Sequence, residues 1–222
     1  MTNTTHPASD MDVDKSLEDY ILQHIDAEGQ YLNDLYRATN LQLLRPRMAS
    51  GHLQGRILKM IVEMVRPRNI LEIGTYSGYS ALCLAEGLPE GGHLYTYEIN
   101  DEQEVFTRPW LDNSPYADRI TFTIGDAMQL VPQLGVTFDM AYIDGDKRHY
   151  TDYYHMVMRH LSKGGYIIAD NTLWSGNVVR QPKASDLQTI GIQQFNDMVA
   201  QDKAVEKVIL PLRDGLTIIR KL

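Results

Sequence analysis

Cysteine, basic residues and long apolar runs are scarce in this 222-residue sequence, and each scarcity excludes a class of protein. The single cysteine, Cys83, cannot form an internal disulfide, so a disulfide-framed domain is excluded and a reducing, cytoplasmic location is expected. The apolar runs are far shorter than a bilayer span, so we expect no membrane-spanning segment. The formal net charge is −8, with 29 acidic against 21 basic residues. This acidic balance argues against the broad basic surface of a nucleic-acid-binding protein.

The length and composition favour one globular domain. Hydrophobic residues make up 43% of the chain and charged residues 23%, which is ordinary for a globular protein. The polar N-terminus, MTNTTHPASD, predicts a disordered lead-in over residues 1–13. Residues 14–222 are predicted to form a single domain, long enough to bury a substantial core.

The hydrophobic pattern changes after the first third of the chain. Residues 14–66 are predicted to be helical, with a break at Leu43–Gly51 that contains Pro46. Strand-like and helical segments then alternate, and the strands are predicted at Ile70–Ile73, His93–Ile99, Ile120–Ile124, Phe138–Ile143, Tyr166–Ala169, Val205–Leu212 and Leu216–Lys221. Helices are predicted between them, at about Tyr79–Glu86, Glu102–Asn113, Ala127–Leu134, Tyr150–Leu161 and Leu187–Gln201.

This alternation predicts an α/β fold with a mostly parallel sheet and helices on both faces. The last two strands are joined by Arg213, Asp214 and Gly215, and an Asp-Gly junction between apolar runs predicts an antiparallel hairpin. A seven-stranded, mostly parallel sheet that ends in such a hairpin is typical of the class I methyltransferase Rossmann-like fold. The helices before residue 66 would be additions to it.

The segment NILEIGTYSGYS, residues 69–80, predicts a ligand-binding turn. Its apolar strand is interrupted by Glu72 and breaks at Gly74 and Gly78, after which the pattern becomes helical. Open α/β sheets bind ligands at such a corner. The tight G-x-G-x-x-G spacing is absent, and the observed spacing suits a ligand with ribose and adenine but no pyrophosphate, such as S-adenosylmethionine. An ordinary strand-to-helix turn is the alternative that this motif alone leaves open.

Acidic residues close the next two strands. Glu98 ends the second strand, where a carboxylate can accept hydrogen bonds from both ribose hydroxyls; the alternative is a solvated acid at a strand end. Asp126 follows the third strand, and it either caps the next helix or lines an adenine pocket. The two roles of Asp126 are compatible.

Polar side chains also follow the fourth and fifth strands. Asp144 and Asp170 are 26 residues apart, the length of one βαβ unit, so their strands should be neighbours and both side chains should enter one crevice. Together with Asn171 they offer two carboxylates and an amide oxygen without an obvious arginine partner, a set that suits Mg²⁺. Two independent acids that cap helices are the alternative.

At this point the sequence resembles a known family. The segments that carry the resemblance are LEIGTYSGYSALCLAEGL, YEIN, GDA, YIDGDKRHY, IADNTLWSGNV and LPLRDGLTIIRK. Together they resemble the cation-dependent O-methyltransferases, the caffeoyl-CoA and catechol O-methyltransferase group with its bacterial relatives. The resemblance runs from about Leu17 to the C-terminus.

The resemblance implies roles for the residues at matching positions. The metal ligands would be Asp144, Asp170 and Asn171, and the catalytic residues Lys147 and Asp144. The residues that would hold S-adenosylmethionine are Met48, Ser50, Glu72, Gly74, Tyr76, Gly78, Ser80, Glu98, Asp126, Ala127 and Asp144. Those that would contact the acceptor are Met48, Lys147 and Trp174. Asn196 and Asp214 lie in family-like stretches, and we interpret both as structural.

The chemistry of methyl transfer is consistent with these assignments. Displacement at a sulfonium needs a deprotonated, aligned oxygen, and a divalent cation such as Mg²⁺, Ca²⁺ or Mn²⁺ bound by a vicinal diol would supply both. Lys147 would remove the hydroxyl proton or position the hydroxyl. A solvated lysine that opens a helix is its ordinary interpretation.

Three functions follow from the sequence. The first is methylation of one hydroxyl of a catechol-like small molecule, by a homodimer as the resemblance implies. The second is methylation of a hydroxylated uridine in tRNA, which the acidic balance disfavours. The third is a non-catalytic cofactor-binding module, which the intact metal set and Lys147 disfavour.

Overall fold

The computed structural model of the chain describes residues 10–222, with side chains from residue 16 onward. The helices are α1 (Asp10–Gln23), α2 (Gly29–Gln42), α3 (Gly51–Val65), α4 (Tyr79–Glu86), α5 (Glu104–Asp112), α6 (Ala127–Leu130), α7 (Tyr150–His160) and α8 (Leu187–Gln201). The strands are β1 (Asn69–Ile73), β2 (His93–Glu98), β3 (Ile120–Ile124), β4 (Phe138–Ile143), β5 (Leu161–Asp170), β6 (Val205–Leu210) and β7 (Leu216–Lys221). None of the described helices is long and apolar enough to cross a membrane.

The first helix starts earlier than expected. Residues 1–9 of the predicted lead-in lie outside the described residues, but residues 10–13 already belong to α1, where the expected boundary was residue 14. Residues 10–16 contain neither glycine nor proline, so their sequence has no helix breaker.

The sheet confirms the predicted fold. Its strand order is β3-β2-β1-β4-β5-β7-β6, and β1 to β5 pair in parallel. The last strand, β7, is inserted antiparallel between β5 and β6. The strand order reverses between β1 and β4, which opens a crevice at their carboxyl ends.

Two strand boundaries differ from the predicted ones by more than one residue. The β6 strand ends at Leu210 instead of Leu212, because Pro211 has no N–H to donate to the sheet. The β5 strand starts at Leu161, five residues before the predicted Tyr166, and its pairing with β4 shifts register near the start. Gly164 has φ 79°, which allows the chain to bulge without leaving the sheet.

The two faces of the sheet are buried under separate layers of helices. Alternate β1 residues supply both cores: Leu71 and Ile73 pack in the cluster that includes α7 and α8, and Ile70 packs in the cluster that includes α3 and α4. The three tyrosines of α7, Tyr150, Tyr153 and Tyr154, are all buried. Burial on both faces makes the sheet a rigid platform for the residues at its strand ends.

The α8 helix approaches the turn that carries Lys147 very closely. A Cβ at Gly191 would collide with the Lys147 carbonyl oxygen and would lie 2.9 Å from Arg148 Cα. Glycine is unfavourable inside a helix, but here the missing side chain lets the helix backbone pack directly against that turn. The position of Lys147 therefore depends on this contact.

We expect Gly191→Ala to lower the free energy of unfolding by about 2 kcal/mol, because the overpacked contact outweighs the gain in helix propensity. Urea unfolding followed by circular dichroism would measure the change. Gln194→Ala, at an exposed position on the same helix, should leave stability within about 0.5 kcal/mol of the wild type. A Gly191→Ala variant as stable as the wild type would contradict the role given to this glycine.

Candidate active site

The carboxyl ends of three central strands form the floor of the candidate site. The β4 strand pairs with β1 on one side and with β5 on the other. Asp144 directly follows β4, and Asp170 is the last residue of β5. The predicted adjacency of the two strands is therefore confirmed.

The glycine turn after β1 passes directly against Asp144. Gly74 has φ 101°, and a Cβ there would collide with the Asp144 carbonyl oxygen and lie 2.8 Å from its carbonyl carbon. Gly78 has φ 85° and immediately precedes α4. Both positions need a conformation that glycine adopts without strain, so the turn stays close to the crevice.

Glu72 lies beneath this turn. Its side chain is fully buried, and its carboxylate accepts hydrogen bonds from Ser80 Oγ at 2.6 Å and from Thr96 Oγ1 at 2.5 Å. Burial raises the pKa of Glu72 to about 8, although both hydroxyl donors lower it. Glu72 and Ser80, which were both predicted to hold S-adenosylmethionine, are therefore in direct contact with each other.

Glu98 holds the glycine turn from the end of β2. Its Oε2 atom accepts a hydrogen bond from the Tyr76 backbone N–H at 2.8 Å, and its Oε1 atom accepts one from Asn100 N at 2.9 Å. Tyr76 has φ 47°, an uncommon conformation for a residue with a side chain. The carboxylate thus stabilises an unusual backbone conformation at the crevice.

Asp126 caps α6, as one of its two interpretations predicted. Its Oδ1 atom accepts a hydrogen bond from Met128 N at 2.9 Å, and Ala127, the first helical residue, is buried. The adenine-pocket role is compatible with this cap and stays a prediction.

The segment before α3 contacts the central sheet. Met48 is half exposed, whereas Ala49 and Ser50 are buried. The Ser50 side chain interacts with the phenol of Tyr142, a residue of β4. This segment is therefore attached to the central sheet.

Lys147 is buried and forms an ion pair inside the site. Its Nζ atom lies 2.7 Å from Asp144 Oδ1 and 5.1 Å from the ring centroid of Tyr150. Burial raises the pKa of Asp144 to about 6, against the opposing effect of the Lys147 charge. Asp146 accepts hydrogen bonds from the backbone and side chain of Arg148, which fixes this turn.

Asp170 is the most strongly fixed side chain of the site. It is buried, and its Oδ2 atom accepts hydrogen bonds from Tyr142 Oη at 2.8 Å and Gln54 Nε2 at 2.5 Å. Its Oδ1 atom accepts one from Asn171 N at 2.7 Å. Asn171 has φ 58°, and its side-chain amide makes no hydrogen bond to the described part of the chain.

These residues fit a hard divalent cation. Among residues 16–222, no three His, Cys, Asp or Glu side chains are grouped as metal ligands, and the predicted set has two carboxylates and one amide. The Asp170 charge raises the pKa of Asp144, so the two carboxylates repel each other. Oxygen ligands in this combination are those that Mg²⁺ and Ca²⁺ prefer. The chemistry of the donor set is therefore suitable.

The loop after β5 is held by the β6–β7 hairpin. Trp174 and Ser175 have φ 45° and 50°. The Asp214 carboxylate accepts a hydrogen bond from Ser175 N, and its carbonyl accepts one from Leu173 N at 2.8 Å. Asn196 Nδ2 donates to Thr172 O at 2.8 Å, consistent with the structural roles predicted for Asn196 and Asp214. The Trp174 ring is half-buried against the core.

Sequence reasoning missed several residues that contact the predicted ligands. Tyr150 Oη donates to the carbonyls of Asp170 at 2.9 Å and Ile143 at 3.2 Å, which joins the two strand ends. Tyr142 could have been recognised from the sequence, because its hydroxyl is a polar group in a mostly apolar strand, two residues before Asp144. Gln54 and Arg213, joined by a 3.4 Å hydrogen bond, could not have been recognised in this way.

Comparisons with known proteins agree with this geometry. A profile of the O-methyltransferase family matches residues 23–222. Caffeoyl-CoA O-methyltransferase 1 of Eucalyptus globulus is 32% identical over 185 residues, which cover 79% of this chain and 75% of that protein.

Solved structures of other O-methyltransferases share the fold. The enzyme from Bacillus cereus in complex with SAH is 26% identical with a TM-score of 0.87, and the match covers 93% of this chain and 97% of that chain. TomG from Streptomyces achromogenes in complex with SAM is 26% identical with a TM-score of 0.85, covering 93% and 96%. The family predicted from the sequence is confirmed: this chain belongs to the O-methyltransferase family and is an S-adenosylmethionine-dependent O-methyltransferase.

Proposed function

We propose that this enzyme transfers a methyl group from S-adenosylmethionine to one hydroxyl of a catechol-like small molecule, with Mg²⁺ or another divalent cation such as Ca²⁺ or Mn²⁺. One observation carries the proposal: Asp144, Asp170 and Asn171 lie at the ends of two paired strands, with the Lys147 ammonium 2.7 Å from Asp144. A cation-binding set and a buried lysine side by side suit deprotonation of a chelating diol.

The glycine turn and Glu98 would hold the methyl donor. Gly74 brings the backbone of this turn against the Asp144 carbonyl, at the carboxyl end of β4. Glu98 would accept the ribose hydroxyls, and Met48 and Ser50 would cover the methionine end. Relatives in the same fold were solved with SAH and with SAM, which supports this assignment.

Asp144, Asp170 and Asn171 would hold the cation. When bound, a divalent cation lowers the pKa of a coordinated hydroxyl and fixes its position. Asp170 is buried and Asp144 is partly buried, which limits competition from water, and the pairing of β4 with β5 fixes the separation of the two strand ends. Asn171 can supply its oxygen without a change in charge.

Lys147 would receive or hold the proton of the reacting hydroxyl. Its buried ammonium is oriented by Asp144 and lies over the Tyr150 ring, so only small movements are open to it. A base and a positioning group differ in the pH profile of kcat, which separates the two roles.

The acceptor is proposed to be a small catechol. The relative from Eucalyptus globulus is named a caffeoyl-CoA O-methyltransferase, and we propose that Met48 and Trp174 contact the acceptor ring. The net charge of −8 disfavours the tRNA alternative. We place the reaction in the cytoplasm, consistent with the single cysteine.

We expect turnover of catechol acceptors to require a divalent cation, because two carboxylates and an amide cannot activate the diol alone. The measurement is release of S-adenosylhomocysteine from a panel of catechols with Mg²⁺, Ca²⁺, Mn²⁺ or chelator. Asp170→Ala should lower kcat about 100-fold, because the cation would lose one of its two carboxylate ligands. Undiminished turnover in chelator would overturn the cation-dependent mechanism.

Lys147→Met should lower kcat by about 10² to 10⁴, the usual contribution of a general acid or base. Donor affinity, measured by calorimetry without acceptor, should change little, since the lysine acts on the acceptor. Lys163→Met, at an exposed position on β5, is the matched control and should keep wild-type kinetics. Equal kcat in Lys147→Met and the control would remove Lys147 from the mechanism.

A homodimer through the N-terminal helices is also proposed. Leu17 and Tyr20 of α1 and Met60 and Met64 of α3 are each more than half exposed, at 55%, 60%, 55% and 70%. Light scattering should give about twice the 25.3 kDa chain mass. A monomer at micromolar concentration would contradict this.

A further inference from the structure

We propose that Tyr142 and Gln54 are positioning residues for the metal ligand Asp170, and that they set which carboxylate oxygen faces a cation. The inference rests on the proposed function, because it needs a cation at Asp144, Asp170 and Asn171. It adds two residues that neither the sequence motifs nor the comparisons assign.

The sheet register brings Tyr142 to Asp170. Tyr142 of β4 pairs with Ile168 of β5, and Asp170 lies two residues further along β5 on the same face. Diagonal neighbours on adjacent strands lie within reach of an aromatic side chain, and the Tyr142 hydroxyl donates to Asp170 Oδ2 at 2.8 Å. The tyrosine ring is fully buried, so its hydroxyl has one fixed direction.

Gln54 reaches the same oxygen from the first turn of α3. Its Nε2 atom donates to Asp170 Oδ2 at 2.5 Å and to Tyr142 Oη at 3.0 Å, and the side chain is 3% exposed. Its Oε1 atom accepts a hydrogen bond from Arg213 Nη1 at 3.4 Å. The arginine thus favours the amide orientation in which the NH₂ group faces the carboxylate.

These contacts leave the two Asp170 oxygens unequal. Oδ2 accepts from two side-chain donors, whereas Oδ1 accepts one hydrogen bond from Asn171 N. Oδ1 is therefore the oxygen presented to a cation. A carboxylate free to rotate would lose this preference.

The chemistry of the donors matters as much as their position. Tyr142 and Gln54 are both neutral, so they stabilise the buried carboxylate without cancelling its charge. An arginine or lysine in direct contact would satisfy the carboxylate and compete with a cation. Arg213 is kept one residue away, since its contact in the described chain is with Gln54 and not with Asp170.

Removal of the hydrogen-bond donors Tyr142 and Gln54 should weaken cation binding. The effect should be measurable without S-adenosylmethionine or methyl acceptor. The experiment titrates Mn²⁺ into the purified full-length protein and follows the free-ion signal by electron paramagnetic resonance. We expect Tyr142→Phe and Gln54→Met each to raise the Kd for Mn²⁺ about tenfold, the lower end of the effect seen when partners of metal ligands are removed.

Tyr154→Phe is a matched control. Tyr154 Oη donates to the Asp202 carboxylate at 2.7 Å, so this variant loses the same type of hydrogen bond away from the site. Its Kd for Mn²⁺ should equal that of the wild type. Circular dichroism and thermal unfolding of all variants would show whether they are folded before the titration is interpreted.

The outcomes separate the two proposals. Tight Mn²⁺ binding by the wild type with unchanged affinity in Tyr142→Phe and Gln54→Met, within twofold, would overturn this inference and leave the proposed function intact. Weaker binding in all three variants, the control included, would also overturn it, since the effect would then be one of general stability. Absence of Mn²⁺ binding by the wild type would overturn the proposed cation site and the inference with it.

Discussion

The site depends on two carboxylates at the ends of neighbouring strands, the buried Asp170 and the partly buried Asp144. Charges at this depth are costly unless they are compensated, and each carboxylate is compensated differently. Asp144 forms an ion pair with Lys147 at 2.7 Å. Asp170 is held by uncharged donors, Tyr142 and Gln54. The Arg213 charge also lowers the pKa of Asp144, but the Arg213 side chain hydrogen-bonds Gln54 and not Asp170.

Close backbone approaches keep this arrangement in place. Gly74 lets the turn after β1 touch the Asp144 carbonyl, and Gly191 lets α8 touch the turn of Lys147. In both cases the absent Cβ is what permits the contact, and the two sides of the crevice are fixed by backbone rather than by long side chains. Uncommon backbone conformations at Tyr76 and Asn171 lie at the same edge. Such conformations persist where the surrounding structure enforces them, which is characteristic of functional sites.

The sheet and most of the site could be predicted because they depend on local patterns. Alternating apolar segments gave the strand boundaries of β3, β4 and β7 to the residue, and the βαβ spacing placed Asp144 beside Asp170. The starts of α1 and β5 were predicted wrongly where no strong breaker or apolar alternation marks the limit of the element, and the end of β6 was predicted two residues too late although Pro211 marks it.

The contacts around Asp170 could not be predicted in the same way. Gln54 is 116 residues from Asp170 in sequence, and its role follows from where the first turn of α3 packs and which way one amide points. Arg213 adopts φ 47° in a turn, where glycine would be more usual, so its position in space is set by the hairpin rather than by a motif. Residues that bind a ligand directly are marked by their chemistry. A residue such as Gln54, which orients Asp170, has no recognisable sequence motif. Its role becomes visible only when the chain is folded and the two side chains are in contact.

The two carboxylates have different partners: Lys147 forms an ion pair with Asp144, and the neutral side chains of Tyr142 and Gln54 donate to Asp170. If Lys147 contacted Asp170 instead, the carboxylate that is presented through Oδ1 would be neutralised and its attraction for a cation would fall. Because Lys147 contacts Asp144, Asp170 keeps only uncharged side-chain donors, Tyr142 and Gln54. The contact of α8 at Gly191 supports this arrangement, because it fixes the backbone from which the Lys147 side chain extends. A helix on the outside of the sheet thereby determines which carboxylate is paired and which remains available.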